Sequence, residues 1–242
     1  MAKDKLRRFA EYASFDNTYD FVYDNKGKWN ERVFQHDQPL TLELGCGKGE
    51  YTVALGREYA HRNFIGIDIK SNRMWKGAGI AIKEGLKNVA FLRAVMHRID
   101  ELFAPNEVAE LWITFPDPFP KLRHAKHRLT HTRFLCLYKK ILKPGGIIHF
   151  KTDDTDLFAF TVNMLEQLNI IPQVVDWDVH HNPNAHPHLK TIRTHYENLF
   201  MGKGRTIKYC QFTLDDLDEA KAESFEQWLE TERKKQIAPN SF

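Results

Sequence analysis

Asp117 stands between two prolines in Pro116-Asp117-Pro118-Phe119-Pro120, and the ring-locked backbone holds its carboxylate within a narrow range of directions. A rigid acid of this kind can stabilise positive charge that grows on a reacting group. Upstream, Glu43-Leu44-Gly45-Cys46-Gly47-Lys48-Gly49 sets an acid just before a glycine-rich turn, and a second acid, Asp68, closes the run Gly66-Ile67-Asp68. Glycines let a backbone approach a ligand closely, and an acid at the next strand end can accept both ribose hydroxyls of a nucleoside. From Lys121 to Arg133 there are five Lys or Arg and three His with no acid. Such a run makes a local positive patch that attracts phosphates.

These groups act together only if a fold gathers them. From Pro39 onward short apolar runs alternate with helical patterns, the signature of βαβ units and a parallel sheet. Strands are expected at 40–44, 63–68, 89–93, 110–115 and 146–151, and helices at 48–60, 71–84, 130–142 and 155–168. Lys143-Pro144-Gly145-Gly146 reads as a helix stop turning into a strand. Beyond Pro172 the pattern is strand, long loop, then strand over 205–214, which predicts an antiparallel closing hairpin. The fold class is therefore α/β: a doubly wound, mostly parallel sheet with an antiparallel C-terminal strand. The glycine turn and Asp117 then fall at carboxyl ends of strands, where such sheets bind ligands. The spacing Gly-x-Gly-x-Gly lacks the dinucleotide pattern Gly-x-Gly-x-x-Gly and disfavours a nicotinamide cofactor.

The 242 residues fit one domain, read as a polar, aromatic N-terminal extension over 1–37, an α/β domain over 38–214 and an acidic C-terminal helix or tail over 215–242. Cys46, Cys136 and Cys210 are odd in number and far apart, so neither a disulfide framework nor a cysteine zinc site is indicated. His180, His181, His186 and His188 fall in a proline-broken loop without a completing carboxylate or thiol. That loop reads as a flexible cover over substrate, and no metal is expected. No stretch approaches a membrane span or a signal segment, which predicts a cytoplasmic protein. A net charge of +3 does not by itself imply nucleic acid.

The glycine turn with Glu43 and Asp68 resembles the class I methyltransferase pattern, which implies S-adenosylmethionine as cofactor, held by Glu43, Gly45, Gly47 and Asp68. That class often carries an acid after the third strand to contact adenine. Here Arg93-Ala94-Val95-Met96 occupies the place, leaving backbone and apolar contacts at Ala94 and Val95, or Asp100 reaching back. Pro116-Asp117-Pro118-Phe119-Pro120-Lys121-Leu122-Arg123-His124 is similar to the Pro-Asp-Pro-Trp-Pro-Lys-Lys-Arg-His signature of the bacterial tRNA (guanine-N7-)-methyltransferase family. The departures are Phe119, Leu122 and, further on, His127, where the family has Trp, Lys and Arg. The resemblance covers most of the chain, from Leu42 to Phe200. It implies tRNA as partner, Asp117 as the active-site acid and a further cofactor contact, and Lys121, Asp153, Thr194, His195, Tyr196 and Glu197 as substrate contacts. No stable protein partner is expected, and the chain is a monomer or a homodimer. The same residues leave open an amino-methyltransferase acting on adenine or cytosine, a non-catalytic RNA-binding protein, and a Rossmann dehydrogenase.

Overall fold

The computed structural model describes residues 2–237. The chain opens with α1 (Ala2–Ser14) and the short strand β1 (Thr18–Asp20), then enters the repeating unit with β2 (Leu40–Leu44), α2 (Glu50–Glu58), β3 (Asn63–Asp68), α3 (Ser71–Lys83) and β4 (Val89–Arg93). A short helix α4 (Ile99–Leu102) leads to β5 (Val108–Thr114), α5 (Thr132–Ile141), β6 (Leu142–Thr152) and α6 (Thr155–Gln167). The last part holds β7 (Val174–Asp176), α7 (Pro187–Thr191), α8 (His195–Met201), β8 (Lys208–Thr213) and α9 (Glu219–Ile237).

The strands form one sheet in the order β1-β4-β3-β2-β5-β6-β8-β7. Pairs from β1 to β6 are parallel, and β8 adds antiparallel to β6 and to β7. Every residue of β2 is buried, as a central parallel strand covered on both faces requires. Helix starts carry side-chain caps where the chain must turn sharply. Asp154 accepts the Leu157 N–H at 2.7 Å to open α6, and Thr194 accepts the Glu197 N–H at 3.0 Å to open α8.

The N-terminal segment is built into the domain. Helix α1 packs on α3, β1 extends the sheet beside β4, and Trp29 is fully buried with its indole N–H donating to the Leu102 carbonyl at 2.9 Å. Strand β6 begins at Leu142, four residues ahead of the expected start, because Leu142 pairs with Val108 across a register shift. The C-terminal helix α9 buries Ala222, Phe225 and Leu229 against α5 and α6. Among the described residues, no helix is long and apolar enough to cross a membrane.

Candidate active site

The sheet grows outward from β2 through β3 and β4 on one side, and from β5 through β6 on the other, so the strand order reverses between β2 and β5. At the carboxyl ends around that reversal lies a pocket of about 560 Å³. Doubly wound sheets form their ligand crevices there because the flanking loops diverge to opposite faces.

One half of the pocket is built from the ends of β2, β3 and β4. The Gly45 and Cys46 N–H groups donate to the Ile67 carbonyl at 2.8 and 3.0 Å, folding the loop over the end of β3. Gly49 has a φ of 69°, and a Cβ there would lie 2.3 Å from the Phe91 ring, so only glycine fits. Asp68 accepts the Gly47 N–H at 3.0 Å on one carboxylate oxygen and the Lys70 N–H at 2.8 Å on the other. Both oxygens keep lone pairs for hydroxyl donors.

Glu43 lies beneath the loop. It accepts the Thr52 N–H at 2.8 Å, the Thr52 hydroxyl, and the Thr114 hydroxyl at 2.8 Å, which ties β2 to α2 and β5. Burial outweighs these donors and pushes its carboxyl up to about 7. After β4, Ala94, Val95, Met96 and His97 line the far end of the pocket. Asp100 does not line it and instead meets Lys140 at 3.1 Å.

The other half follows β5. Phe115 and Phe119 bracket Pro116-Asp117-Pro118 with φ of 48° and 44°, left-handed values that cost an L-residue about 1–3 kcal/mol each. Fixed contacts hold this strained loop. The Phe115 N–H donates to the Lys151 carbonyl at 2.8 Å, and Arg128 donates from Nε to the Pro118 carbonyl at 3.1 Å and from Nη2 to the Phe119 carbonyl at 3.0 Å. Asp117 is exposed on the pocket lining, and among the described residues its carboxylate has no hydrogen-bond partner.

Facing this loop is an aromatic wall. Phe115 and Phe200 approach at 6.4 Å between ring centroids, and Tyr196 stacks on Phe200 at 6.1 Å. The Arg205 guanidinium lies over Phe200 at 5.3 Å and donates to Asp153 Oδ2 at 2.6 Å.

The other expected substrate residues are not all brought to this pocket. Asp153, Thr194 and Tyr196 line it; His195 does not, and its N–H donates to Glu50 at 2.8 Å. Lys121 is exposed just outside the lining. Glu197 is turned into the core with no exposure, bound to Lys151 and to His180. The basic run also divides. Lys121, Arg123, Lys126, His127 and Arg133 are exposed, whereas Arg128 and His131 are buried. The histidine loop packs down through buried Val179 and Leu189.

The "Putative methyltransferase" family model matches residues 37–210. A tRNA (guanine-N(7)-)-methyltransferase of Christiangramia forsetii is 45% identical over 221 residues, covering 88% of this chain and 99% of the relative. One from Porphyromonas gingivalis is 47% identical over 195 residues, covering 80% of this chain and 78% of the relative. The chain belongs to the tRNA (guanine-N(7)-)-methyltransferase family. A solved structure described as an antibiotic-related methyltransferase shares the fold with a TM-score of 0.59 at 20% identity, covering 81% of this chain and 96% of that one.

In this member of the tRNA (guanine-N(7)-)-methyltransferase family, three contributors escape a reading of the sequence. Phe200 and Arg205 carry no local motif. Arg128 looks like one more cation in a basic run, and only its burial beneath the Pro118 and Phe119 carbonyls shows that it clamps the loop.

Proposed function

We propose that the chain transfers a methyl group from S-adenosylmethionine to N7 of a guanine in tRNA. The observation that carries this reading is one pocket whose lining joins the glycine turn and Asp68 to Asp117 and to the wall of Tyr196, Phe200, Arg205 and Asp153. The donor set suits a nucleoside-bearing cofactor. Asp68 offers acceptors for ribose hydroxyls, Ala94 to Met96 an apolar berth for a base, and Gly45 and Gly47 a close backbone approach over Glu43. When bound, S-adenosylmethionine supplies an electrophilic methyl group on a sulfonium sulfur.

The residues of the chain then have mainly a positioning task. Guanine N7 carries a lone pair and no proton, so no general base is needed, and alignment of the reacting atoms is worth up to about 7–11 kcal/mol in ideal cases. The aromatic wall can stack on an unpaired base. Positive charge develops on the purine during transfer, and the fixed Asp117 carboxylate stabilises it. Asp153 keeps one oxygen for guanine N1–H or N2–H. Lys121, with Arg123 and Lys126, holds phosphates outside the pocket. Glu197, Thr194 and the His195 backbone serve the substrate by seating α8. Such work on tRNA belongs in the cytoplasm.

The test is to incubate the protein with unmodified tRNA and methyl-labelled S-adenosylmethionine, digest the RNA and identify the labelled nucleoside by mass spectrometry. Label in 7-methylguanosine is the expected result. Label in a methylated adenosine or cytidine would keep the fold and overturn the target atom.

A further inference from the structure

Beside the active-site pocket lies a second groove of about 440 Å³, bounded by α2, α3 and residues 188–193. The two cavities share Lys48 and Glu50, so a strand leaving the first beside the glycine turn runs directly into the second. Gly49 and Gly77 are among its lining residues. A Cβ on Gly77 would sit 2.5 Å from the Lys48 carbonyl oxygen, so α3 packs against the turn at backbone distance.

The walls carry Lys48, Arg57, Lys76, His188 and Arg193 against two acids, Glu50 and Glu58. Arg57 is engaged by Glu84 at 2.5 Å, and Glu50 accepts the His195 N–H at 2.8 Å. Among the described residues, Lys48, Lys76 and Arg193 form no ion pair, and Lys76 and Arg193 are exposed. Neither of the last two lines the active-site pocket, and nothing in the transfer reaction uses them. What remains is an open, net-positive strip that continues the substrate pocket.

We propose that this groove takes the phosphodiester backbone of the RNA strand next to the methylated nucleotide. The proposal rests on the reading of tRNA as substrate and adds the path the strand follows. A nucleotide inserted into the pocket brings a phosphate on each side. One side of the rim, at Pro118 and Phe119, adjoins the turn that exposes Lys121, Arg123 and Lys126, whose last residue, His127, approaches Phe119 at 5.5 Å between ring centroids. Another side, at the glycine turn, opens into the groove. Two cationic strips meeting one base pocket suit a strand that enters past one and leaves past the other. The contacts are to phosphates and carry no base information.

The experiment measures binding of unmodified tRNA across a range of salt for the wild type and for Lys76→Ala with Arg193→Ala. Each phosphate contact on a single strand contributes about 0.7 to the slope of log K against log salt, so loss of two lowers the slope by about 1.4. Cofactor binding, followed by calorimetry, stays unchanged and certifies the fold. Lys83→Ala with Lys87→Ala removes the same charge outside the groove and leaves the slope as in the wild type. Lys76→Glu alone must weaken binding in the same direction. Equal slopes for wild type and the groove variant, or an equal fall in the control, would overturn the proposal. No turnover is needed, so absence of 7-methylguanosine with the slope difference intact overturns only the reaction assigned above. A wild type that does not bind tRNA overturns both.

Discussion

Lys151 Nζ lies 2.8 Å from Glu197 Oε1, with both side chains shut off from solvent. Lys151 is on β6, directly before Thr152 and Asp153, and its ammonium also donates to the Tyr51 hydroxyl at 2.7 Å and the Leu189 carbonyl at 2.6 Å. Glu197 is further bound by His180 at 2.9 Å. The network bolts residues 180–201 to the sheet and presents Tyr196 and Phe200 to the pocket. Removing one partner leaves a buried charge uncompensated, so Glu197→Ala should lower stability by about 3–5 kcal/mol in denaturant unfolding. Lys151→Met combined with Glu197→Leu should be more stable than the Glu197→Ala variant. A loss below about 1 kcal/mol in the single variant would mean the pair behaves as an exposed one.

The clamp on the Asp117 loop makes a separate prediction. Arg128 reaches two successive carbonyls with one planar fork, a geometry lysine cannot reproduce. A hydrogen bond from a charged donor is worth about 1.5–3 kcal/mol, and the strained φ at Phe115 and Phe119 relaxes if it is lost. Arg128→Lys should therefore lower kcat for tRNA methylation by about tenfold or more, with cofactor affinity changed much less. Steady-state kinetics with calorimetry measures both. A uniform loss of salt-dependent tRNA affinity with kcat intact would return Arg128 to the phosphate-binding surface.

What the sequence revealed and what it hid divide along the reach of each contact. Strands β2, β3 and β4 have the bounds expected of them, because each is a short apolar run punctuated by turn residues and buried on both faces. That Glu43, Gly45, Gly47, Asp68 and Asp117 come to one pocket is legible because each setting is local: an acid or glycine in or just after its own strand. Strand β1 becomes a strand only because β4 offers it an edge. Arg205 meets Asp153 across 52 positions because β8 folds back antiparallel to β6 and pairs Lys208 with Thr152. Charge patterning overstates the surface, since Arg128 and His131 share the run of exposed cations yet face inward. Glu197 reads as a ligand until Lys151, 46 positions away, claims it.

His131 gives the protein an acid-sensitive joint. Its Nδ1 accepts the Arg133 N–H at 3.3 Å and caps α5, which requires a neutral ring. Burial, aided by Arg133 and Arg128, pushes its imidazole down from the ordinary 6.5 to about 4. The ring is therefore neutral at pH 7, and its 3.8 Å approach to Glu226 is not an ion pair. Because the folded value is depressed, the unfolded chain binds a proton first as pH falls, so this stability is complete above 6.5 and is lost on the way down to 4. The loss attributable to this group is at most about 3 kcal/mol. His131→Asn keeps a capping side chain and should flatten the stability profile between those limits, measured by denaturant unfolding at a series of pH values. A profile as steep as that of the wild type would assign the acid sensitivity to other groups.

On the function proposed above, the Arg205–Asp153 pair bears on how guanine is told from other purines. Asp153 belongs to the pocket lining; its Oδ2 is held by Arg205 at 2.6 Å, while Oδ1 has no protein partner among the described residues. That free oxygen can accept from guanine N2–H or N1–H, and Arg205 fixes which way it points. Arg205→Ala leaves Asp153 free to turn, so kcat/KM for a tRNA with guanosine at the target should fall by about tenfold to a hundredfold, the worth of one charge-assisted hydrogen bond. Inosine, which lacks the N2 amine, separates orientation of Asp153 from simple phosphate binding. If Arg205 aims the reader, the wild type prefers guanosine over inosine, and that preference shrinks in Arg205→Ala and is partly restored in Arg205→Lys. If Arg205 only binds phosphate, both substrates weaken together and their ratio stays constant.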